Sequence, residues 1–67
     1  MKLLNITVKE FVDHFVPSTE TIRITKRYET MFEGTIDEFY YYGSCTWNEI
    51  VAMVGTRDGV LCLACRE

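Results

Sequence analysis

Cysteine and histidine offer the most varied chemistry in this sequence. Cys62 and Cys65 have the CxxC spacing of zinc and redox sites, and Cys45 and His14 would complete a set of three thiolates and one imidazole. In zinc knuckles, however, the CxxC lies in a tight turn, and in redox proteins it lies at a helix N-terminus. Here it continues an apolar run typical of a strand, where positions three apart point to opposite faces. We therefore predict packed thiols and no metal ligands, and keep a Cys-based metal-binding module as an alternative function.

The remaining candidates for catalysis are one histidine and one pair of carboxylates. A general base or a Cys-His pair would have to use His14, and its neighbour Asp13 points about 100° away on a helix, too far round to orient the ring. Asp37 and Glu38 fall in the first turn of a predicted helix, where acidic side chains stabilise the helix dipole. No phosphate loop or hydrolase motif is present. The sequence thus predicts no enzyme, no catalytic residue, no cofactor and no small-molecule substrate.

The charge balance argues against a nucleic-acid partner. Arg23, Lys26 and Arg27 cluster near Tyr28, and such a basic and aromatic edge can bind single strands. The chain as a whole, however, has 7 Lys and Arg against 10 Asp and Glu, for a net charge of -3. Nucleic-acid binders usually present a broader basic stripe, so we interpret these residues as solvated turn charges.

Two helices and two hairpins are predicted to position these side chains. Thr7 and Glu10 have the spacing of a capping box, which Thr35 and Glu38 repeat. Residues 21–25 alternate between apolar and polar types, and residues 30–33 form the return strand. Two further strands, 49–54 and 60–65, are joined through an Asp-Gly pair that is a strong hairpin signal. Apolar residues recur at helical spacing in both helices: Val8, Phe11, Val12 and Phe15 in the first, and Ile36, Phe39 and Tyr40 in the second.

These elements predict one α+β domain over residues 1–67. Two short helices would pack on a four-stranded, mainly antiparallel sheet, giving two layers in the order α-β-β-α-β-β. Residues 35–39 repeat the pattern of residues 7–11 after a shift of 35 − 7 = 28 positions. The chain therefore divides into helix-hairpin units 6–34 and 35–67, either by duplication or by two uses of one stable pattern.

The second hairpin has more apolar residues than a sheet covered on one side needs. On its first strand we predict Val51 and Met53 on one face and Ile50, Ala52 and Val54 on the other. On its second strand Leu61 and Leu63 alternate with Cys62 and Ala64. Strands that are apolar on both faces need a second cover. Exposed aromatic residues near the second helix are also typical of interfaces. The predicted protein interface comprises Tyr41, Tyr42, Trp47, Val51, Met53, Leu61 and Leu63.

A set of patterning residues, with no catalytic motif among them, extends over most of the chain: 7–11, Ile22-Arg23-Ile24, Phe32-Glu33-Gly34, the Phe39 helix, Ile50-Val51 and Leu61-Cys62-Leu63. In these residues the chain resembles a group of small uncharacterised Firmicutes proteins, often encoded in prophages or other mobile elements. The resemblance implies a cytoplasmic accessory protein.

The sequence itself also favours the cytoplasm. The first residues lack the apolar core of a signal peptide, no run is long enough to span a membrane, and an odd number of cysteines, 3, does not make a disulfide framework.

Our leading hypothesis is a non-enzymatic protein-binding module that self-associates as a homodimer through the second hairpin. The alternative is a small acidic inhibitor of a host nucleic-acid enzyme, presenting Glu10, Asp13, Asp37 and Glu38.

Overall fold

The computed structural model describes residues 5–67, in which one sheet of four strands is formed. Strand β1 (Thr21–Lys26) pairs antiparallel with β2 (Glu29–Thr35), and β3 (Val51–Arg57) pairs antiparallel with β4 (Val60–Cys65). The two central strands, β1 and β4, run parallel, so the order across the sheet is β2-β1-β4-β3. The predicted α+β class and mainly antiparallel sheet are confirmed, and the parallel central pair makes the sheet mixed.

Helix α1 (Val8–Phe15) precedes the first hairpin and helix α2 (Ile36–Tyr42) precedes the second. Thr35 and Glu38 form the predicted capping box at α2, since the Thr35 hydroxyl accepts from the Glu38 N–H at 3.2 Å and the Glu38 carboxylate accepts from the Thr35 N–H at 2.9 Å. At α1 the Thr7 hydroxyl caps the helix in the same way, but the Glu10 carboxylate accepts from that hydroxyl instead of from the backbone. No helix in residues 5–67 is long and apolar enough to cross a membrane.

Both helices pack on the same face of the sheet. The apolar residues of their inner sides form one cluster with the alternating residues of the central strands, as the predicted two-layer arrangement requires. No helix of residues 5–67 packs on the opposite face. The residues buried in the cluster are Val8, Val12, Ile22, Ile24, Ile36, Phe39, Val51, Leu63 and Cys65.

A β-bulge in β3 changes the predicted faces of the second hairpin. Val51 pairs with Cys65, but the next paired residue is Met53, opposite Ala64, so Ala52 is the extra residue. Directly paired residues share a face, so Val51 lies with the buried Cys65 while Met53 lies on the uncovered side. The prediction that Val51 and Met53 share a face is wrong, because strict alternation does not hold across a bulge.

Leu61 and Leu63 also lie on the helix-covered face. Leu63 is fully buried, and Leu61 is half-buried against the same core cluster. Together with the buried Val51, they belong to the core, not to the exposed surface of the second hairpin. Of the predicted interface residues in this hairpin, Met53 alone lies on the open side.

The two helix-hairpin units do not place their strands equivalently. The shift of 28 positions (35 − 7) aligns Ile22 and Ile24 with Ile50 and Ala52. Ile22 and Ile24 are buried in a central strand, whereas Ala52 is an exposed bulge residue in an edge strand. The first strand of one unit is therefore central and that of the other is peripheral.

Both hairpins turn through two residues in the left-handed region. In the second turn these are Asp58 and Gly59, with φ of 55° and 78°, as the Asp-Gly signal predicts. In the first turn they are Arg27 and Tyr28, with φ of 54° and 67°. A side chain with a Cβ is disfavoured there, and Tyr28 is fully exposed, so packing does not compensate for this cost.

We expect Tyr28→Gly to stabilise the protein by about 0.5–1 kcal/mol, because glycine accepts a positive φ without steric cost and this gain exceeds the extra entropy it gives the unfolded chain. Urea denaturation measures the change. The matched control is Asp58→Gly in the other turn, where aspartate tolerates the left-handed region and we expect a smaller gain. A loss of stability in Tyr28→Gly would contradict the strain assigned to this turn.

Candidate functional site

The open face is the side of the sheet opposite the helices. In its second-hairpin half, Met53 lies opposite Ala64 and Gly55 lies opposite Cys62. Across the parallel pair, Cys62 neighbours Arg23, whose Nε donates to the Glu33 carboxylate at 3.0 Å. The face therefore has an apolar half of small side chains and a polar half at the first hairpin. We define the open face by its two halves. The apolar half comprises Met53, Gly55, Val60, Cys62 and Ala64, with one charged residue, Arg57, at the end of β3 beside the turn. The polar half comprises Thr21, Arg23, Thr25, Thr30, Glu33 and Thr35.

Met53 projects from the apolar half beside Gly55, which has no side chain. Its side chain is 72% exposed, which is unusual for a methionine in a strand centre. Gly55 follows two residues later on the same face, and a Cβ placed there would meet nothing within 4 Å. The apolar half thus presents one protruding side chain next to one flat, open site.

The aromatic residues predicted at the interface lie on the helix side of the molecule. Tyr41 and Tyr42 extend from the end of α2, with exposures of 82% and 76% and ring centroids 6.1 Å apart. Trp47 does not join them, because its ring packs on Phe39 and its indole N–H donates to the Phe39 carbonyl at 3.3 Å. The predicted interface residues therefore fall on two separate surfaces plus the core.

A polar cluster joins the outer sides of α1 and α2. The Asp13 carboxylate accepts from the Tyr40 hydroxyl and from the Lys9 ammonium, the latter at 2.9 Å. Lys9 Nζ also lies 5.8 Å from the Tyr40 ring centroid and 5.5 Å from that of Trp47. The hydrogen bond from Tyr40, followed by that from Lys9, lowers the pKa of Asp13, and the bond to Asp13 raises the pKa of Tyr40 to about 12. This network fixes the helices to each other and explains why Asp13 does not orient His14.

We expect the Asp13 network to contribute to stability only while Asp13 is ionised. Because folding lowers the pKa of Asp13, the contribution is complete above its ordinary value of 3.8 and is lost as the pH falls through the folded value. Thermal unfolding of wild type and Asp13→Asn should therefore differ at pH 7 and converge toward pH 2. The comparison isolates Asp13 from Glu33, whose pKa Arg23 lowers in both proteins. A difference that is independent of pH would contradict this role.

The cysteines and the histidine do not converge. Cys45 is exposed in the 3-10 turn Ser44–Thr46, Cys62 lies on the open face and Cys65 is buried on the helix side, where desolvation raises its pKa. His14 is exposed and its ring lies at the edge of Phe15, 6.3 Å away. Within residues 5–67, no three His, Cys, Asp or Glu side chains are grouped as metal ligands.

The acidic side chains of the predicted inhibitor surface are largely engaged within the chain. Glu10 and Glu38 bond to the N-cap threonines, and Asp13 is held by Lys9 and Tyr40. Of this group, Asp37 has no side-chain hydrogen bond to the rest of residues 5–67. The helices therefore do not present these four carboxylates as a set of free acceptors.

Comparison of the chain with protein-family models, curated proteins and solved structures found no match.

Proposed function

We propose that this protein is a small, cytoplasmic, non-enzymatic binding module that pairs with a second copy of itself through the open face. The observation that carries the proposal is the exposure of Met53 on a sheet face without a covering layer in residues 5–67. A sheet that is apolar on both faces gains stability when its second face is covered. As in the hypothesis from the sequence, the second hairpin would make the contact between the two copies. Of the interface residues predicted in this hairpin, only Met53 would take part, together with its neighbours on the open face.

The apolar half of the open face complements itself. Met53 and Gly55 are two residues apart on one strand, so they differ by about 7 Å along it. A two-fold axis parallel to the sheet, perpendicular to β3 and passing between them, would place each Met53 over the Gly55 of the other copy. Cys62 and Ala64, beside them on β4, are small enough to let the two sheets approach the usual distance of about 10 Å.

The size of the face sets the expected strength. Four strands of about six residues cover roughly 19 by 20 Å, so two such faces bury less than the roughly 1,600 Å² of a standard interface. The Arg23–Glu33 ion pair occupies the other half of the face and is already neutralised within each copy. We therefore expect a weak dimer, with a dissociation constant in the micromolar range or above.

Sedimentation velocity tests the proposal. Between about 1 µM and about 1 mM, the weight-average sedimentation coefficient of the wild type should rise from the monomer to the dimer value. It should not rise further, because a two-fold contact closes on itself. A wild type that remains monomeric at the highest concentration would overturn the self-association.

A further inference from the structure

A groove lies where the first turn meets the end of the second hairpin. It has a volume of about 330 Å³. Thr25 and Ala64, adjacent in the central strands, lie between the first turn on one side and β3 on the other. The side chains around them that bear on binding are Lys26, Arg27, Tyr28, Met53, Arg66 and Glu67.

The groove contains cationic groups that the chain does not neutralise. The ion pairs of residues 5–67 involve Lys9, Arg23 and Lys26, the last with Glu49 at 3.0 Å. Arg27 and Arg66 have no carboxylate within ion-pair distance in that part of the chain, and the Arg66 guanidinium donates to the Asn5 amide oxygen at 3.0 Å. Among residues 5–67, Glu67 is the one lining carboxylate, so the two arginines leave the groove with an excess of one positive charge in a chain of net charge -3, which favours an anionic ligand.

The turn holds two of the lining residues in a costly conformation. Arg27 and Tyr28 both have positive φ, and the exposed Tyr28 ring makes no packing contact that offsets this. A two-residue hairpin turn requires a positive φ at both central residues, but here they are residues for which that φ is costly, and such costly positions often mark side chains presented to a ligand. Tyr28 and the exposed Met53 thus supply apolar contacts on the two sides of the groove.

From this combination we propose that the groove binds a short acidic segment of a protein partner, with carboxylates paired to Arg27 and Arg66 and apolar side chains against Tyr28 and Met53. Guanidinium groups bind carboxylates through two parallel hydrogen bonds, so one or two acidic residues suffice. Single-stranded nucleic acid would need a longer series of phosphate contacts than these two groups offer, and the overall negative charge opposes it.

Groove binding and open-face pairing use some of the same residues. Met53 and Ala64 belong to both surfaces. The acidic segment and a second copy should therefore compete, and the binding test requires a monomer with an intact groove. Gly55→Lys provides it, because Gly55 does not line the groove and has open space for a side chain.

Fluorescence anisotropy with a labelled peptide of alternating aspartate and leucine tests the proposal. In the Gly55→Lys background, Arg27→Gln and Arg66→Gln should each weaken binding at least about fivefold, consistent with loss of a charge-assisted hydrogen bond. Arg57→Gln is the matched control, since Arg57 is an exposed arginine beside the other turn and lies outside the groove. It should leave affinity unchanged.

Tyr28→Gly separates recognition from folding. It should weaken peptide binding while raising the thermal midpoint, which loss of structure would not do.

The proposal is overturned if the peptide fails to bind, if Arg57→Gln weakens binding as much as Arg27→Gln, or if labelled oligothymidine binds more tightly with the same arginine dependence. These outcomes are independent of open-face pairing, since Gly55→Lys would place an ammonium group where Met53 of a second copy would lie.

Discussion

Phe39→Ala should lower the free energy of unfolding by about 3–5 kcal/mol, more than any other substitution proposed for this protein. Phe39 is fully buried, and its ring packs against Phe32, Tyr40 and Trp47 with centroid distances of 6.1, 5.3 and 6.3 Å. Truncating a buried phenylalanine costs about 3–5 kcal/mol, whereas a domain of this size has a total stability of roughly 3–10 kcal/mol. The cavity would therefore remove a third or more of the stability.

Urea denaturation followed by Trp47 fluorescence measures this effect, because the indole contacts Phe39 directly and is the single tryptophan. Tyr41→Ala is the control from the same helix, and its 82% exposure predicts a change within about 0.5 kcal/mol. If Phe39→Ala lost no more than Tyr41→Ala, the core assigned here would be incorrect.

Met53→Lys should abolish pairing without unfolding the monomer. In the free chain the lysine would replace an exposed side chain, so stability should change by at most about 0.5 kcal/mol. In the dimer the ammonium group of this lysine would be buried over Gly55 of the other copy, where no carboxylate would pair with it. Burying an unpaired charge costs several kcal/mol, and each 1.4 kcal/mol is a factor of ten, so the dimer should weaken at least about 100-fold.

Sedimentation equilibrium of Met53→Lys and Tyr41→Lys compares the two candidate surfaces. Both residues are strongly exposed, but Met53 lies on the open face and Tyr41 on α2. We expect Tyr41→Lys to associate as the wild type does. Loss of association in Tyr41→Lys alone would move the contact to the Tyr41–Tyr42 surface and refute the open-face assignment.

Local signals in the sequence were sufficient for most of the architecture. A capping threonine starts each helix, the Asp-Gly pair forms the second turn, and alternation in β1 places Ile22 and Ile24 in the core. These features depend on neighbouring residues, which a sequence displays directly. The parallel pairing of β1 with β4 depends on residues about 39 positions apart, as in Ile22 opposite Leu61 (61 − 22 = 39), and no local pattern indicates it.

The candidate surface was predicted less well because the second hairpin is uniformly apolar. Where both alternating sets are hydrophobic, the pattern carries no information on which set faces the helices. The bulge at Ala52 then reverses the faces, which moves Val51 into the core and leaves Met53 exposed. The bulge determines which of Val51 and Met53 is buried, and a run of apolar residues does not indicate where a bulge will form.

The sequence indicated only some of the residues that line the groove at the first turn. The sequence grouped Lys26, Arg27 and Tyr28, but it did not place Arg66 beside them, since Arg66 reaches the groove from the end of β4. The predicted strands end at residue 25 and resume at residue 30, so they did not indicate that the turn has only two residues, Arg27 and Tyr28, both with positive φ.

Alkylation of the cysteine thiols tests open-face pairing most directly. Cys62 lies on the open face, Cys45 is exposed on the helix side, and burial raises the pKa of Cys65 and keeps its thiol unreactive. As protein concentration rises through the association midpoint, the rate of Cys62 modification by iodoacetamide should fall several-fold while that of Cys45 stays constant. In Met53→Lys the Cys62 rate should not depend on concentration. A Cys62 rate that stays constant in the wild type up to millimolar concentration, or a Cys45 rate that falls instead, would contradict pairing through this face.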